Sequence, residues 1–409
     1  MKIALLHYSA LPVVGGVEQV MAQHARLLAE DGHRVTVVAG RGEGLDPLYQ
    51  FVHLPAADSR HPEVLKLKTQ LDRGIVPVEF FELVERLDNE LHQILADTDL
   101  LIAHNVCSLH KNLALTAAVQ QVATHESSVR LILWHHDLAW TGSRYQAELH
   151  PGYPWDLLRT AWAGATQVVV SELRRQELAG LTGLPLDRIQ VIPNGLDLAQ
   201  FLKLETETLN LIKSLKLLEA HPLLLLPVRL TWRKNIELAL RVLAKLREAF
   251  PQAALVVTGP PGPHNPANAA YLESLLTLRT ELGLAGAAHF LAELSPEYLP
   301  DSVIFDFYRL ADALILPSRE EGFGIPLLEA GLARLPIFCA DIPPLRALAD
   351  GYASFFSPEA NPEQVAEMIS RRLLADNVCA FQTFVREQFT WEWIYRQQIR
   401  PLFHEVIER

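Results

Sequence analysis

The stretch that decides the fold is Pro317-Ser318-Arg319-Glu320-Glu321-Gly322-Phe323-Gly324-Ile325-Pro326-Leu327-Leu328-Glu329-Ala330-Gly331. It follows the short apolar run 313–316, which predicts a buried strand. The glycines at 322 and 324 let the backbone approach a ligand closely, and Pro326 suits the first turn of a helix. A strand, a glycine loop and a helix N-terminus in this order aim free backbone N–H groups at an anion.

Two carboxylates, Glu321 and Glu329, flank this predicted anion site. Carboxylates are hydrogen-bond acceptors, so their presence beside an anion indicates a ligand that also carries hydroxyl groups. A nucleotide sugar has both parts. The alternative is an exposed loop glutamate together with a glutamate that favours the helix dipole.

This motif resembles the signature of a known enzyme family. Two glutamates separated by seven residues around Glu-Gly-Phe-Gly are similar to the motif of retaining GT-B glycosyltransferases of family four, the glycosyl transferases group 1. The resemblance implies an α/β fold of two facing Rossmann-like domains with parallel sheets. It also implies a nucleotide diphosphate sugar held mainly by the C-terminal domain.

Length and composition agree with a two-domain globular enzyme. A chain of 409 residues exceeds one ordinary core, and 49% hydrophobic with 21% charged residues argues against disorder. We expect an N-terminal domain at 1–198, with a helix at 390–409 that packs back on it, and a nucleotide-sugar-binding domain at 199–389. Three scattered cysteines predict a reduced, cytoplasmic setting. The net charge of −12 disfavours nucleic acid and anionic membranes as partners.

Alternating strands and helices predict a mostly parallel sheet in each half, with ligands at the carboxyl ends of the strands. In the first half, Gly15 and Gly16 open a helix to Glu30 between predicted strands at Lys2–Leu6 and Arg34–Ala39. This loop lacks GxGxxG, which disfavours a dinucleotide-binding oxidoreductase. The family resemblance implies that both glycines lie against the donor phosphates, whereas glycine for the turn alone is the simpler alternative.

Histidines follow two further predicted strands, at His104 and at His135-His136-Asp137. The segment resembles the acceptor-side histidine segment of the family, and the following acid favours His136 over His135 as the functional residue. A metal site formed by His104, His135 and His136 is an open alternative. Asp97-Thr98-Asp99 precedes a predicted strand and is therefore interpreted as a solvated turn.

The second half places three cations together after the predicted strand Leu223–Val228, at Arg229, Arg233 and Lys234. Cations at a helix N-terminus are disfavoured by about 0.3–1 kcal/mol each, and a ligand diphosphate would reverse that penalty. The resemblance identifies Arg229 and Lys234 as the diphosphate-binding pair. Both would stabilise the charge that develops as the sugar–phosphate bond breaks.

The remaining roles follow from the same resemblance. Glu329 would bind the ribose hydroxyls, and the transferred hexose would be held by Glu321 with Gly322, Phe323 and Gly324. His136 would position the sugar or the acceptor. The resemblance implies retention of anomeric configuration by same-face attack, with no metal and no cofactor beyond the nucleotide sugar.

Three alternatives stay open on the sequence. A GT-B sugar phosphorylase shares the fold, a Rossmann oxidoreductase shares the βαβ unit, and a non-catalytic nucleotide-sugar-binding protein would need only part of the site. The acceptor is unidentified: a sugar, a small polar molecule or a lipid-linked glycan. The sequence does not identify the nucleobase of the donor, the transferred sugar or the oligomeric state.

Overall fold

Short, nearly continuous apolar runs form the strands of two parallel sheets, as expected when both faces of a sheet are covered by helices. The computed structural model describes residues 1–124, 129–260, 267–294 and 299–408. The chain divides into a first unit, Met1–Gly195 with Trp391–Arg409, and a second unit, Leu196–Thr390. The predicted α/β architecture with a parallel sheet in each half is confirmed.

The first unit is built on a seven-stranded sheet in the order β3-β2-β1-β4-β5-β6-β7. Its strands are β1 (Lys2–His7), β2 (Arg34–Ala39), β3 (Gln50–His53), β4 (Leu100–His104), β5 (Arg130–His135), β6 (Ala165–Val169) and β7 (Ile189–Val191). Its helices are α1 (Gly16–Glu30), α2 (Pro62–Leu71), α3 (Val78–Leu95), α4 (Leu113–Thr124) and α5 (Glu172–Thr182). The strand order reverses direction between β1 and β4, which creates a crevice at their carboxyl ends.

The second unit contains a six-stranded sheet in the order β10-β9-β8-β11-β12-β13. Its strands are β8 (Leu223–Leu226), β9 (Ala254–Val257), β10 (Ala288–Phe290), β11 (Ala313–Leu316), β12 (Ile337–Ala340) and β13 (Ser354–Phe356). Its helices are α6 (Leu198–Leu202), α7 (Thr206–Leu215), α8 (Ile236–Ala249), α9 (Ala267–Glu281), α10 (Asp301–Leu310), α11 (Ile325–Leu332), α12 (Pro343–Ala349), α13 (Pro362–Leu374) and α14 (Asn377–Gln388). Here the reversal lies between β8 and β11, so the loops that leave these two strands are the expected ligand-binding loops.

The last described helices contribute to the core of the first unit. After α14 come α15 (Trp391–Ile394), a π-helical segment (Tyr395–Ile399) and α16 (Arg400–Glu408). Trp391, Ile394 and Tyr395 are buried with strand residues of the first unit. Gly195 makes this packing possible, because a Cβ there would lie 2.8 Å from the Trp391 ring. No helix within the described ranges is long and apolar enough to cross a membrane.

Candidate active site

A cavity of about 280 Å³ lies in the second unit beside the carboxyl ends of β8 and β9. Arg229, Phe305, Pro326 and Glu329 contribute to its wall. Gly259, also in the wall, follows β9, and a Cβ there would lie 2.2 Å from the carbonyl oxygen of Val228. Only glycine lets the two loops approach so closely. The cavity therefore depends on a close backbone contact at the strand ends.

Glu329 lies on α11 and reaches the cavity from the helix. The Tyr308 hydroxyl on α10 donates a hydrogen bond of 2.5 Å to Glu329 Oε2. Burial, reinforced by this hydrogen bond to a carboxylate, raises the pKa of Tyr308 well above its usual value. The phenol is therefore a permanent donor, and it fixes one carboxylate oxygen at the cavity wall.

Lys234 and Glu321 form a buried ion pair, with 2.6 Å between Lys234 Nζ and Glu321 Oε1. Their side chains are only 10% and 7% exposed. The Ser318 hydroxyl donates to the same Oε1 at 2.8 Å. Asn235, in the left-handed region at φ 53°, ties the two loops together by donating to the carbonyl oxygen of Pro317 at 3.0 Å. The structure thus brings the predicted phosphate-binding residue, Lys234, into direct contact with the predicted sugar-binding residue, Glu321.

This ion pair corrects the expectation of three converging cations without an anion. Lys234 already has Glu321 as its counter-ion, and it lies in a 3₁₀ turn at Trp232–Lys234 that ends before α8 begins. Arg229 and Arg233 are exposed, and among the described residues neither contacts a carboxylate. Of the three cations, the two exposed arginines are therefore the ones whose charge an anionic ligand would balance.

The glycine loop at 322–324 ends at the N-terminus of α11. Gly324 has φ 104°, and a Cβ there would lie 2.6 Å from the Leu345 side chain, so this position requires glycine. Gly322 and Phe323 are exposed, with Phe323 at 56%. Among the described residues, no side chain caps the first turn of α11. Pro326 has no N–H and the Leu327 N–H donates to the carbonyl oxygen of Gly324 at 3.0 Å, so this turn offers an anion the N–H of Ile325 rather than a full set of donors.

In the first unit, histidines end three neighbouring strands. His104 Nδ1 lies 3.2 Å from His136 Nε2, and His7 Nδ1 lies 2.7 Å from the carbonyl oxygen of His104. Asn105 Oδ1 accepts hydrogen bonds from the backbone N–H groups of His136 and Asp137, at 2.7 and 3.1 Å. The asparagine side chain therefore holds the loop that carries His136.

His135 faces the side of the sheet opposite to His104. The reason is that His104 is level with Trp134 in the neighbouring strand, and the side chains of successive strand residues point to opposite faces. Its Nε2 lies 2.8 Å from Gln167 Oε1. The structure therefore separates His135 from the contact between His104 and His136, and the alternative of a metal bound by all three histidines is wrong.

A different group, Asp72, His110 and Glu148, does bring three potential metal ligands together. Lys68 Nζ lies 2.7 Å from Asp72 Oδ1 and 2.8 Å from Glu148 Oε2. The lysine ammonium supplies the positive charge there, so the cluster is interpreted as an ion-pair network around Lys68. The Asp97 carboxylate likewise pairs with the Lys2 ammonium, as expected for a solvated turn.

The predicted glycines of the first unit lie at the start of α1. Gly15 precedes the helix, and a Cβ there would lie 2.1 Å from Glu18 Oε2. Glu18 is buried and accepts a hydrogen bond of 2.6 Å from Ser9. Gly16 is the exposed first residue of the helix. Gly15 therefore has a packing reason of its own, besides the phosphate contact that the resemblance implies.

Burial keeps the histidines of this region neutral at neutral pH. It lowers the pKa of His136 and His24 to about 3, and that of His7 and His135 to about 4. A neutral His136 can donate or accept a hydrogen bond, but it carries no charge to stabilise a phosphate.

Acidification below pH 6.5 is therefore expected to destabilise the first unit. The unfolded chain binds protons at its histidines near pH 6.5, whereas the folded chain binds them only near pH 3–4. Stability is lost as the pH falls through this window, by up to about 1.4 kcal/mol per pH unit for each buried histidine. Thermal unfolding midpoints at pH 7, 6 and 5 measure this loss.

The matched variants are His24→Leu and His92→Gln. The first removes a buried titrating group and is expected to reduce the pH dependence of the midpoint. The second removes an exposed histidine whose Nδ1 lies 3.2 Å from Asp88 Oδ1, and it is expected to change the pH dependence less than the first. Equal pH dependence in the wild type and His24→Leu would contradict the assignment of His24 as a buried neutral group.

Two family models match the chain in succession. The model of Glycosyltransferase Family 4 matches residues 14–200, and that of Glycosyl transferases group 1 matches residues 208–380. A mannosylglucosylglycerate synthase of Petrotoga mobilis is 25% identical over 84% of this chain and 83% of its own. A Thermotoga maritima protein of the same name is 25% identical over 82% and 80%. A D-inositol 3-phosphate glycosyltransferase of Acidothermus cellulolyticus is 28% identical over 65% of this chain and 59% of its own.

Proposed function

Because the chain belongs to the glycosyl transferases group 1, a family of GT-B glycosyltransferases, we propose that it moves a hexose from a nucleotide diphosphate sugar to a hydroxylated acceptor, with retention of configuration and without a metal. One observation carries the proposal: Arg229 and Glu329 share the wall of a single cavity at the strand ends of the second unit. A cation for phosphate and a carboxylate for hydroxyls are the two groups that a nucleotide requires.

In the proposed donor site, the chemistry of each side chain suits one part of the nucleotide sugar. The exposed guanidinium of Arg229 offers paired N–H donors to phosphate oxygens. Glu329 accepts hydrogen bonds from the ribose hydroxyls. Lys234 has three N–H donors, so it can keep its contact with Glu321 and still donate to the diphosphate. Glu321 then accepts from the hydroxyls of the transferred sugar.

The reaction breaks the bond between C1 of the sugar and the phosphate oxygen and forms a bond from C1 to the acceptor oxygen on the same face. The acceptor proton passes to the leaving phosphate oxygen. Arg229 and Lys234 stabilise the negative charge that develops on that phosphate, which is the main electrostatic contribution of the chain. Neutral His136 positions a sugar or acceptor hydroxyl by hydrogen bonding.

We propose a small polyhydroxylated acceptor that carries an anionic group. The proposal is supported by the names of two relatives, since mannosylglucosylglycerate and D-inositol 3-phosphate both combine hydroxyl groups with an anion. A lipid-linked glycan is the competing acceptor class, and activity toward a water-soluble acceptor alone separates the two.

The test is a thermal-shift panel of UDP, GDP and ADP, followed by turnover with the corresponding nucleotide sugars. We expect one diphosphate to stabilise the protein and its sugar to be transferred. The variant Glu329→Gln should reduce the shift. Glu293→Gln, which removes a carboxylate paired with Arg279 elsewhere in the second unit, should not. Turnover of a sugar phosphate in the absence of any nucleotide sugar would instead identify a phosphorylase.

Turnover is expected to continue in the presence of EDTA. The cations of the chain, Arg229 and Lys234, would supply the phosphate neutralisation that a divalent ion supplies in other sites. Initial rates are measured after dialysis against chelator, with and without added Mg²⁺ or Mn²⁺. Loss of turnover on chelation that is reversed by a divalent ion would contradict the metal-free mechanism.

A further inference from the structure

Tyr308 lies directly behind the predicted nucleoside end of the donor cavity. Its hydroxyl donates to Glu329 Oε2 at 2.5 Å, and the residue is only 3% exposed. Ile304 and Phe305, one helical turn earlier on α10, contribute to the cavity wall itself. Tyr308 itself does not line this cavity, so it reaches the site through Glu329.

The contact fixes the plane of the Glu329 carboxylate. A hydroxyl that donates to an ionised carboxylate makes a short, charge-assisted hydrogen bond, stronger than one between neutral groups. With one oxygen held by a buried phenol, the carboxylate cannot rotate freely about its last bond. A diol with two adjacent hydroxyls needs such a fixed acceptor if both hydroxyls are to be bound together.

We propose that Tyr308 is a positioning residue for donor binding, which holds the Glu329 carboxylate in the orientation that accepts the ribose hydroxyls. This inference rests on the proposed function. A merely structural tyrosine would support the fold of the second unit and would affect all ligands of the cavity alike. A positioning residue affects only ligands that carry the ribose hydroxyls.

The experiment compares a nucleoside diphosphate with its 2′,3′-dideoxy counterpart by titration calorimetry, using whichever of UDP, GDP and ADP binds the wild type most tightly. Tyr308→Phe removes only the hydroxyl. We expect it to raise the Kd of the diphosphate about tenfold, the effect of losing one charge-assisted hydrogen bond. The Kd of the dideoxy compound should stay unchanged, and in turnover the donor KM should rise while kcat is retained.

Tyr395→Phe is the matched control. The Tyr395 hydroxyl also donates to a carboxylate, Asp31, at 2.9 Å, but in the first unit. This variant should leave both Kd values unchanged. The double variant of Tyr308→Phe and Glu329→Gln should bind the diphosphate no more weakly than Glu329→Gln alone, because Tyr308 acts through that carboxylate.

The possible outcomes separate the inference from the function on which it rests. An unchanged diphosphate Kd in Tyr308→Phe overturns the inference, and so does equal weakening of the diphosphate and the dideoxy compound. Should Tyr308→Phe unfold, Tyr308→Leu, which also lacks the hydroxyl, takes its place in the same comparison. A wild type that binds the diphosphate and the dideoxy compound equally tightly overturns the inference without any variant. A wild type that binds none of the three diphosphates overturns the proposed function and this inference with it.

Discussion

Replacing Lys234 with methionine is expected to weaken nucleoside diphosphate binding by about ten- to a hundredfold and to destabilise the second unit. The loss of binding is the scale of one hydrogen bond to a charged group, about 1.5–3 kcal/mol. The loss of stability has a separate cause. Glu321 is 7% exposed, so the loss of the Lys234 ammonium 2.6 Å away would leave its carboxylate buried without its counter-ion. Breaking a buried ion pair on one side costs about 3–5 kcal/mol.

A double variant separates the two effects. Lys234→Met combined with Glu321→Gln removes both charges, so part of the lost stability should return while diphosphate binding stays weak. Lys245→Met is the matched control, because Lys245 on the exposed face of α8 also lies 2.8 Å from a glutamate, Glu248. It should change neither property appreciably. Chemical denaturation measures stability and calorimetry measures binding.

Normal diphosphate affinity in a folded Lys234→Met variant would remove Lys234 from the donor site. The ion pair with Glu321 would then be a structural link between the loops after β8 and β11. This outcome is a real alternative, because the contact with Glu321 is sufficient by itself to explain why a lysine is buried there.

The fold could be predicted from the sequence because its signals are local. The runs at Leu223–Leu226 and Ala313–Leu316 are wholly apolar, as buried parallel strands require. Ala313–Leu316 forms a strand with the predicted bounds, and the strand that begins at Leu223 ends two residues before the predicted Val228. Alternation with helices then fixes a parallel sheet, and the parallel sheet places the loops after β8 and β11 at the same edge. Arg229, which follows β8, and Glu329, on the helix after β11, accordingly line one cavity.

The contacts within the candidate site could not be predicted, because they join residues that are distant in sequence. Lys234 and Glu321 are 87 residues apart, so the sequence showed a cation at a helix start and a carboxylate in a loop, but not their pairing. Tyr308 gave no signal at all, since a tyrosine on the buried face of a helix is ordinary core. Asn105, directly after β4, could have been noticed by its position at a strand end.

Glu321→Gln and Glu329→Gln are expected to impair transfer in different ways. Glu329 lines the cavity that we propose for the nucleoside, where it would contact a part of the donor that does not change during the reaction. Losing such uniform binding raises the donor KM, by about tenfold for one charge-assisted hydrogen bond, with little change in kcat. Glu321 is held by Lys234 and Ser318, and in the proposed site it would contact the transferred sugar, where its contacts can strengthen in the transition state. Its loss should lower kcat on the order of 100-fold, the scale of losing one interaction that is fully made only in the transition state.

The structure adds a second difference between these two variants. Glutamine at 321 leaves the buried Lys234 ammonium without a counter-ion, so this variant should also unfold at lower denaturant concentration than Glu329→Gln. Steady-state kinetics with varied donor, on variants checked by circular dichroism, give KM and kcat separately. Glu293→Gln, outside the cavity, serves as the control for a lost glutamate charge. If Glu321→Gln raises KM alone, or if both variants turn over normally, the assignment of Glu321 to the reacting sugar is wrong and the two carboxylates serve the loop and the helix.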